Sequence, residues 1–491
     1  MRRGNQWSVS AAAALATTAT VLVLNLPAAQ AAVPVTQIIT DPFTNTTSQH
    51  KTAVEPDTFA FGSTIIAATQ VGRFNDGGGS DIGYSTSTDS GATWTQGTLP
   101  GITNNNGGTG SFQRVSDPSV AYDALHNVWL ISTVPITSAV TVTNVFVSRS
   151  TDGGLTFGNP VTVAAGSTSF DKNWTVCDNN ATSPFYGHCY TEYDDNADGD
   201  RLKMSTSTDG GLTWGVGKNT ANNATGLGGQ PLVQPNGTVI VPASNASESA
   251  IIAWRSTDGG ATWSSTVTVA AVADHTPAGN LRSGPLPTAE IDAAGKVYVA
   301  WQDCRFRSGC KSNDIVYSTS TNGTTWTAVT RVPIDATTSG VDHFIPGLGV
   351  DPSTSGATAK LGLTYYFYRT ARCGTSCQLE VGYIQSNNGG STWSTHTDVA
   401  GPFAISLCPN TTQGRMVGDY ISTSWISGKA IGAFAIAKTP SGGFAFDQAI
   451  YVPATGFTAA AGSFVATSSG DHAIPGAASD HANPRSPIRN R

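Results

Sequence analysis

The sequence predicts an all-β chain: a β-propeller of four-stranded antiparallel blades, seven-bladed, with six blades carrying one shared turn motif. Three observations predict it. A turn-forming octamer recurs, an apolar strand pair precedes each copy, and helical periodicity is missing beyond the N-terminus. Composition agrees: the 491 residues include 54 Gly, 11 Trp and 13 Tyr, and only 12% are charged. Gly, Ser, Thr and aromatic residues suit strands and tight turns better than helices.

The repeat is at residues 87–94, 150–157, 207–214, 256–263, 320–326 and 386–393, the fifth copy being one residue short. Copies fall roughly 50 to 65 residues apart, the size of a four-stranded blade. Asp89, Asp152, Asp209, Asp258, Asn322 and Asn388 take the position that caps its own backbone in an Asx-turn. The glycines supply positive φ, flanking Ser and Thr hydroxyls pin the backbone, and the closing Trp or Phe fills a small core beneath the hairpin. Six copies of one turn are scaffold, so these acids are not read as catalysts.

Apolar strand pairs precede the octamers at residues 120–134, 232–241, 289–301 and 361–368, each opening on a similar cue. The cues are Glu55-Pro56, Asp117-Pro118, Asp171-Lys172, Gln230-Pro231, Leu286-Pro287 and Ile345-Pro346. A seventh opening at Asp419-Tyr420 leads into residues 439–444, which read as an octamer that has lost its Asp. Residues 35–39 are expected to complete the last blade.

The first residues read as a secretory signal: Arg2 and Arg3, an apolar Ala-rich stretch, then Ala29-Gln30-Ala31 as a small-x-small cleavage site. The expected domains are thus a signal peptide at 1–31, a propeller at 32–455, and a flexible polar tail at 456–491. Export makes disulfides possible. Cys177 with Cys189, Cys304 with Cys310, and Cys373 with Cys377 lie close enough to staple single loops, leaving Cys408 free and buried. No later segment reads as a membrane span, and a net charge of −7 gives no basic footprint for nucleic acid.

The octamers resemble the Asp boxes (BNR repeats) of the sialidase, or neuraminidase, superfamily, and the match covers nearly the whole mature chain. The resemblance implies a propeller with the boxes between third and fourth strands on one rim, and a functional funnel on the other. It is only weakly specific for activity, because Asp boxes also occur in lyases, other glycosidases, receptors and assembly factors. Family sialidases have six blades, and they mark their first substrate arginine with an Arg-Ile-Pro tripeptide that this sequence lacks.

Related sialidases hold a substrate carboxylate with three arginines from different blades, matching the planar guanidinium to a bidentate acceptor. Arg282, Arg305 and Arg415 are the candidates here, with Arg114 a fourth. The family nucleophile is a Tyr paired with an acid, which makes Tyr420 beside Asp419 the best formal candidate, with Asp342, Glu55 or Asp117 as acid/base. The stapled loop at 303–314 offers Asp303 and Arg305 as ligand contacts. Asp194, Asn196, Asp198 and Asp200 space oxygens as in half a calcium loop, although the twelfth position is Ser205 rather than Glu. A structural Ca²⁺ is therefore the one cofactor considered; none is required.

Two functions from different classes follow. One is a secreted glycosidase acting on anionic, sialic acid-type glycans, with a polysaccharide lyase as its variant. The other is a non-catalytic propeller that binds extracellular glycans or proteins. A monomer is expected in either case.

Overall fold

The computed structural model describes residues 1, 33–458 and 464–467. The expected signal segment and most of the expected tail lie outside the described residues. The described chain is all-β, built from successive antiparallel sheets. The first has Gln49–Phe61, Thr64–Arg73, Gly79–Ser87 and Thr95–Thr98, paired in that order. The second runs Arg114–Asp123, Val128–Ile136, Asn144–Ser150 and Val161–Ala165, and meets the first at Gly79 and Val115. The third opens with Phe170–Cys177 and the fourth with the short pieces Gly226–Leu227 and Leu232–Val233. The fifth opens with Thr288–Ile291 and the sixth with Asp342–Val350. The seventh runs Ser422–Ile426, Lys429–Ala437 and Gln448–Pro453, and Val35–Ile39 pairs with Gln448–Pro453 to complete it. The N-terminal strand thus closes the C-terminal sheet. First strands of consecutive sheets touch in turn, and Ser422–Ile426 touches Gln49–Phe61, so the circuit of contacts returns to its start.

Burial explains the strand composition. Most first, second and third strands are buried along their length, and bury Val, Ile, Leu and aromatic side chains on both faces. Trp254, Trp301 and Trp393 are among the largest fully buried side chains. The octamers lie between third and fourth strands. At residues 150–157, Asp152 Oδ1 accepts from the Ser150 hydroxyl at 2.7 Å and the Thr156 amide at 3.0 Å, while Oδ2 accepts from the Thr156 hydroxyl at 2.6 Å. The same bonds recur around Asp89, Asp209 and Asp258. The hydroxyl and amide donors hold the Asp152 carboxyl down at about 2.

Three expectations are corrected. Residues 439–444 join Lys429–Ala437 to Gln448–Pro453, the second and third strands of the seventh sheet. They therefore lie on the rim opposite the octamers and are no decayed copy. The Gly-Gly-Phe spelling misled because both rims need positive φ, which Gly442 and Gly443 adopt here. Second, four of the six cues do not precede strands, whereas Gln230-Pro231 and Leu286-Pro287 do, directly before Leu232–Val233 and Thr288–Ile291. Glu55, Asp117, Lys172 and Ile345 sit within first strands at register shifts, each with positive φ. They are β-bulges, whose extra residue turns its side chain out of the ladder. Third, within the expected tail, Phe457–Thr458 pairs with Lys429 and Ala430, and Phe464–Ala466 pairs with Thr392–Ser394. Phe457 stacks on Tyr383 with ring centroids 3.9 Å apart, a burial that a polar tail was not expected to supply.

The disulfides Cys177–Cys189, Cys304–Cys310 and Cys373–Cys377 are formed, and Cys408 is free and buried. Among the described residues, no helix is long and apolar enough to cross a membrane.

Candidate functional site

The bulges gather charge. Glu55, Asp117 and Lys172 come from the first strands of the first three sheets, and Asp419 from the opening of the seventh; all are buried. Lys172 Nζ lies 3.6 Å from Glu55 Oε1, 3.5 Å from Asp117 Oδ1 and 3.4 Å from Asp419 Oδ2. Arg282, from the segment before the fifth sheet, grips Asp419 bidentately, with its Nε 2.7 Å from Oδ1 and an Nη on Oδ2. Gln70 donates to Glu55 and accepts from Arg73 Nη1 at 2.7 Å. The Asp419 amide adds a bond to Glu55 Oε1 at 3.3 Å. Three carboxylates thus meet Lys172 and Arg282, and Arg73 reaches Glu55 through Gln70.

Electrostatics follow from this packing. Burial pushes Glu55 up to about 7, against the pull of Lys172. Burial also raises Asp117. Burial opposes ionisation of Asp419 as well, but Arg282 and Lys172 prevail and hold it well below the carboxylate range. The Lys172 ammonium is likewise held above its ordinary range by Asp117, Glu55 and Asp419, despite burial. Burial and the Arg282 charge bring Arg73 down to about 10.

Tyr420 caps the cluster. Its hydroxyl donates to the Pro118 carbonyl at 3.1 Å, its ring lies 4.9 Å from Lys172 Nζ, and it packs edge-on against Trp174 at 5.2 Å. Burial, then the charges of Glu55 and Asp117, push its phenol well above its usual value. A tyrosine nucleophile requires the opposite shift. Lys172, Trp174, Gly229, Gln230, Leu286 and Tyr420 help line a cavity of about 10 Å³, room for about one water.

Five of the sequence-predicted residues therefore meet: Tyr420, Asp419, Glu55, Asp117 and Arg282. The others do not join them. Asp342 is buried elsewhere on the loop rim, accepting from the Asn313 amide at 2.7 Å and lying 3.3 Å from His275 Nδ1. Arg305 turns back on Asp303, its Nε 2.8 Å from Oδ1 and an Nη 2.6 Å from Oδ2, while Trp301 Nε1 donates to the same carboxylate at 3.1 Å. Arg114 pairs with Asp76 and lies over the Phe74 ring at 4.2 Å. Arg415 donates to the Cys408 carbonyl at 2.9 Å, and its backbone brackets Arg282: its carbonyl accepts from the Arg282 amide at 2.7 Å. Each arginine expected to converge as a clamp thus has its own carboxylate or carbonyl partner, although Arg282 and Arg415 adjoin through their backbones.

Asp194, Asp198 and Asp200 are not among the two sets of three acid, His or Cys ligand atoms lying within 4.8 Å of one another among the described residues. Lys203 Nζ sits 3.1 Å from Asp198 and 3.2 Å from Asp195 instead, and Asn196 Nδ2 lies 3.4 Å from Asp171. One of the two sets, Asp314, Asp335 and His343, is already filled by the guanidinium groups of Arg307 and Arg331. The other includes the bridged Cys177 and Cys189.

Sequence reading missed Lys172 and Arg73 as partners in the centre. A partial signal was present for Lys172: residues 55, 117 and 172 occupy one repeated position and all are charged, two acids and one base.

Asp57, two residues past Glu55, gives a pH prediction. Burial pushes its carboxyl up to about 7, against the Val120 amide that donates to it at 2.7 Å. The folded state thus binds its proton more tightly than the unfolded chain. Its contribution is full below about pH 4 and is lost as pH rises through about 7. Asp57→Asn should flatten the fall in melting temperature across that window, and an unchanged fall would refute the assignment.

No family model and no curated protein matches the chain. Among solved structures, it is similar to a protein of unknown function from Dyadobacter fermentans (16% identity, 73% of this chain and 100% of that one, TM-score 0.45). An ulvan lyase of a new polysaccharide lyase family aligns at 9% identity over 85% of this chain and 95% of its own, with a TM-score of 0.49. The NanB sialidase of Streptococcus pneumoniae aligns at 14% identity over 85% and 70%, with a TM-score of 0.41.

Proposed function

We propose that the chain is an exported, seven-bladed β-propeller that binds extracellular glycans without cleaving them. The observation that carries this reading is the state of the would-be catalytic set. Arg282 is spent on Asp419, Glu55 on Gln70 and Lys172, and the Tyr420 hydroxyl on Pro118. A substrate carboxylate would have to displace a buried bidentate partner, and the phenol is tuned away from nucleophilicity. The circuit of first-strand contacts and the closing pairing of Val35–Ile39 support seven blades. Three disulfides fit an extracellular protein. The octamer resemblance supports glycans as the ligand class.

A glycosidase is the second reading, favoured by one observation: Glu55 is pushed up to about 7, near Tyr420 and its small cavity. Binding to an immobilised glycan panel, run beside a fluorogenic sialic acid glycoside, separates the two. Saturable retention without release of the fluorophore is expected. Release that exceeds the buffer rate and vanishes in Tyr420→Phe would establish the enzyme instead.

A further inference from the structure

Resting on the glycan-binding reading, we propose that the cleft between residues 37–51 and 441–449 is a subsite for one neutral pyranose unit. The cleft has a volume of about 250 Å³ and is lined by Gln37, Asp41, Lys51, Phe444, Phe446 and Asp447, among others. It lies on the rim opposite the octamers, where the second and third strands of the seventh sheet join. This is the loop whose sequence imitates a decayed octamer. Its size falls below the ~300–1,000 Å³ of drug-sized sites and suits a single sugar unit.

The lining has the two components that a sugar ring requires. Phe444 is 43% exposed, one of few large apolar side chains left to solvent. A pyranose presents a C–H face that buries such a ring from water. The hydroxyls then need fixed donors and acceptors. Tyr451 donates to Gln37 Oε1 at 2.6 Å, which orients the amide and leaves its NH₂ as a donor. Asp41 is buried and held by the amides of Phe43 and Lys51, both at 2.9 Å. Lys51 Nζ lies 5.4 Å from the Phe444 centroid, where it can donate to a hydroxyl at the ring's edge.

Charge decides the sugar class. The lining holds two carboxylates, Asp41 and Asp447, and one ammonium, Lys51, with His50 Nδ1 3.7 Å from Asp41. A uronate or sialate would meet a net negative wall, whereas a neutral hexose would not.

Saturation-transfer NMR and calorimetry with methyl glucoside, galactoside and mannoside, beside methyl glucuronide and N-acetylneuraminic acid, test the assignment. At least one neutral glycoside should saturate the protein, and both acids should bind more weakly. Phe444→Ala should weaken the neutral ligand about tenfold with an unchanged melting temperature, since the ring is exposed, and Asp447→Asn should weaken it several-fold. Equal or tighter binding of an acid, or a Phe444→Ala affinity within about twofold of wild type, would overturn the subsite. If the glycan panel still retains that variant undiminished, the subsite alone falls. If no glycan is retained by the intact protein, the glycan-binding reading falls with it.

Discussion

Lys172→Met is expected to destabilise the protein by about 3–5 kcal/mol, the range for breaking a buried pair by removing one partner. The ammonium lies within 3.6 Å of three buried carboxylates, from the first, second and seventh sheets. Without it, Arg282 still neutralises Asp419, but Glu55 and Asp117 are left buried beside each other with only Arg73 for counter-charge. Methionine keeps the aliphatic stem, so packing against the Tyr420 ring is retained and the loss is electrostatic. The repulsion should be relieved by protonation, so the variant should recover stability as pH falls toward 5. Adding Asp117→Asn should recover part of it at pH 7. Urea or guanidinium midpoints measure both, and a loss under about 1 kcal/mol would show that the ammonium is dispensable.

Arg282→Met is the second large effect, at about 3 kcal/mol. The guanidinium binds Asp419 through two nitrogens, and both groups are buried. Removing it strands a carboxylate whose ionisation it sustains. Asp419→Asn alone should cost less, because the amide keeps the shape and Lys172 retains two other acids. The double variant should be less destabilised than the sum of the singles, with a coupling of at least about 1 kcal/mol. Additive losses would mean that the pair does not act as a unit.

Much of the fold was legible because the octamers spell out backbone requirements. Asp152, its hydroxyl partners and its glycines are demanded by one turn, wherever it occurs, so repetition reveals the repeat. The closing strand was legible too, since residues 35–39 have no other partner in the pattern. The rim of residues 439–444 was not, because Gly-Gly-Phe meets the φ needs of either rim and only strand order tells them apart. The site was half legible. Position marked Glu55, Asp117 and Asp419 as facing inward, but no local signal says that Lys172 reaches three acids or that Arg282 finds Asp419, 137 residues away. Arg305 was drawn to Asp303, its neighbour two residues back, and such short ion pairs outcompete a distant clamp. Exposure also misled: the stapled loop at 303–314 looks like a binding element, yet its arginines are consumed by its own acids.

On the glycan-binding reading, the Glu55–Asp117–Lys172–Arg282–Asp419 centre is a structural hub and ligand is held elsewhere. Tyr420→Phe tests it most directly, with melting temperature, glycan affinity and glycoside release measured on one preparation. The variant loses only the hydroxyl bond to the Pro118 carbonyl. A lower melting temperature is expected, with glycan affinity unchanged and no release before or after. An unchanged melting temperature together with abolished binding or release would contradict it and make the centre the functional site.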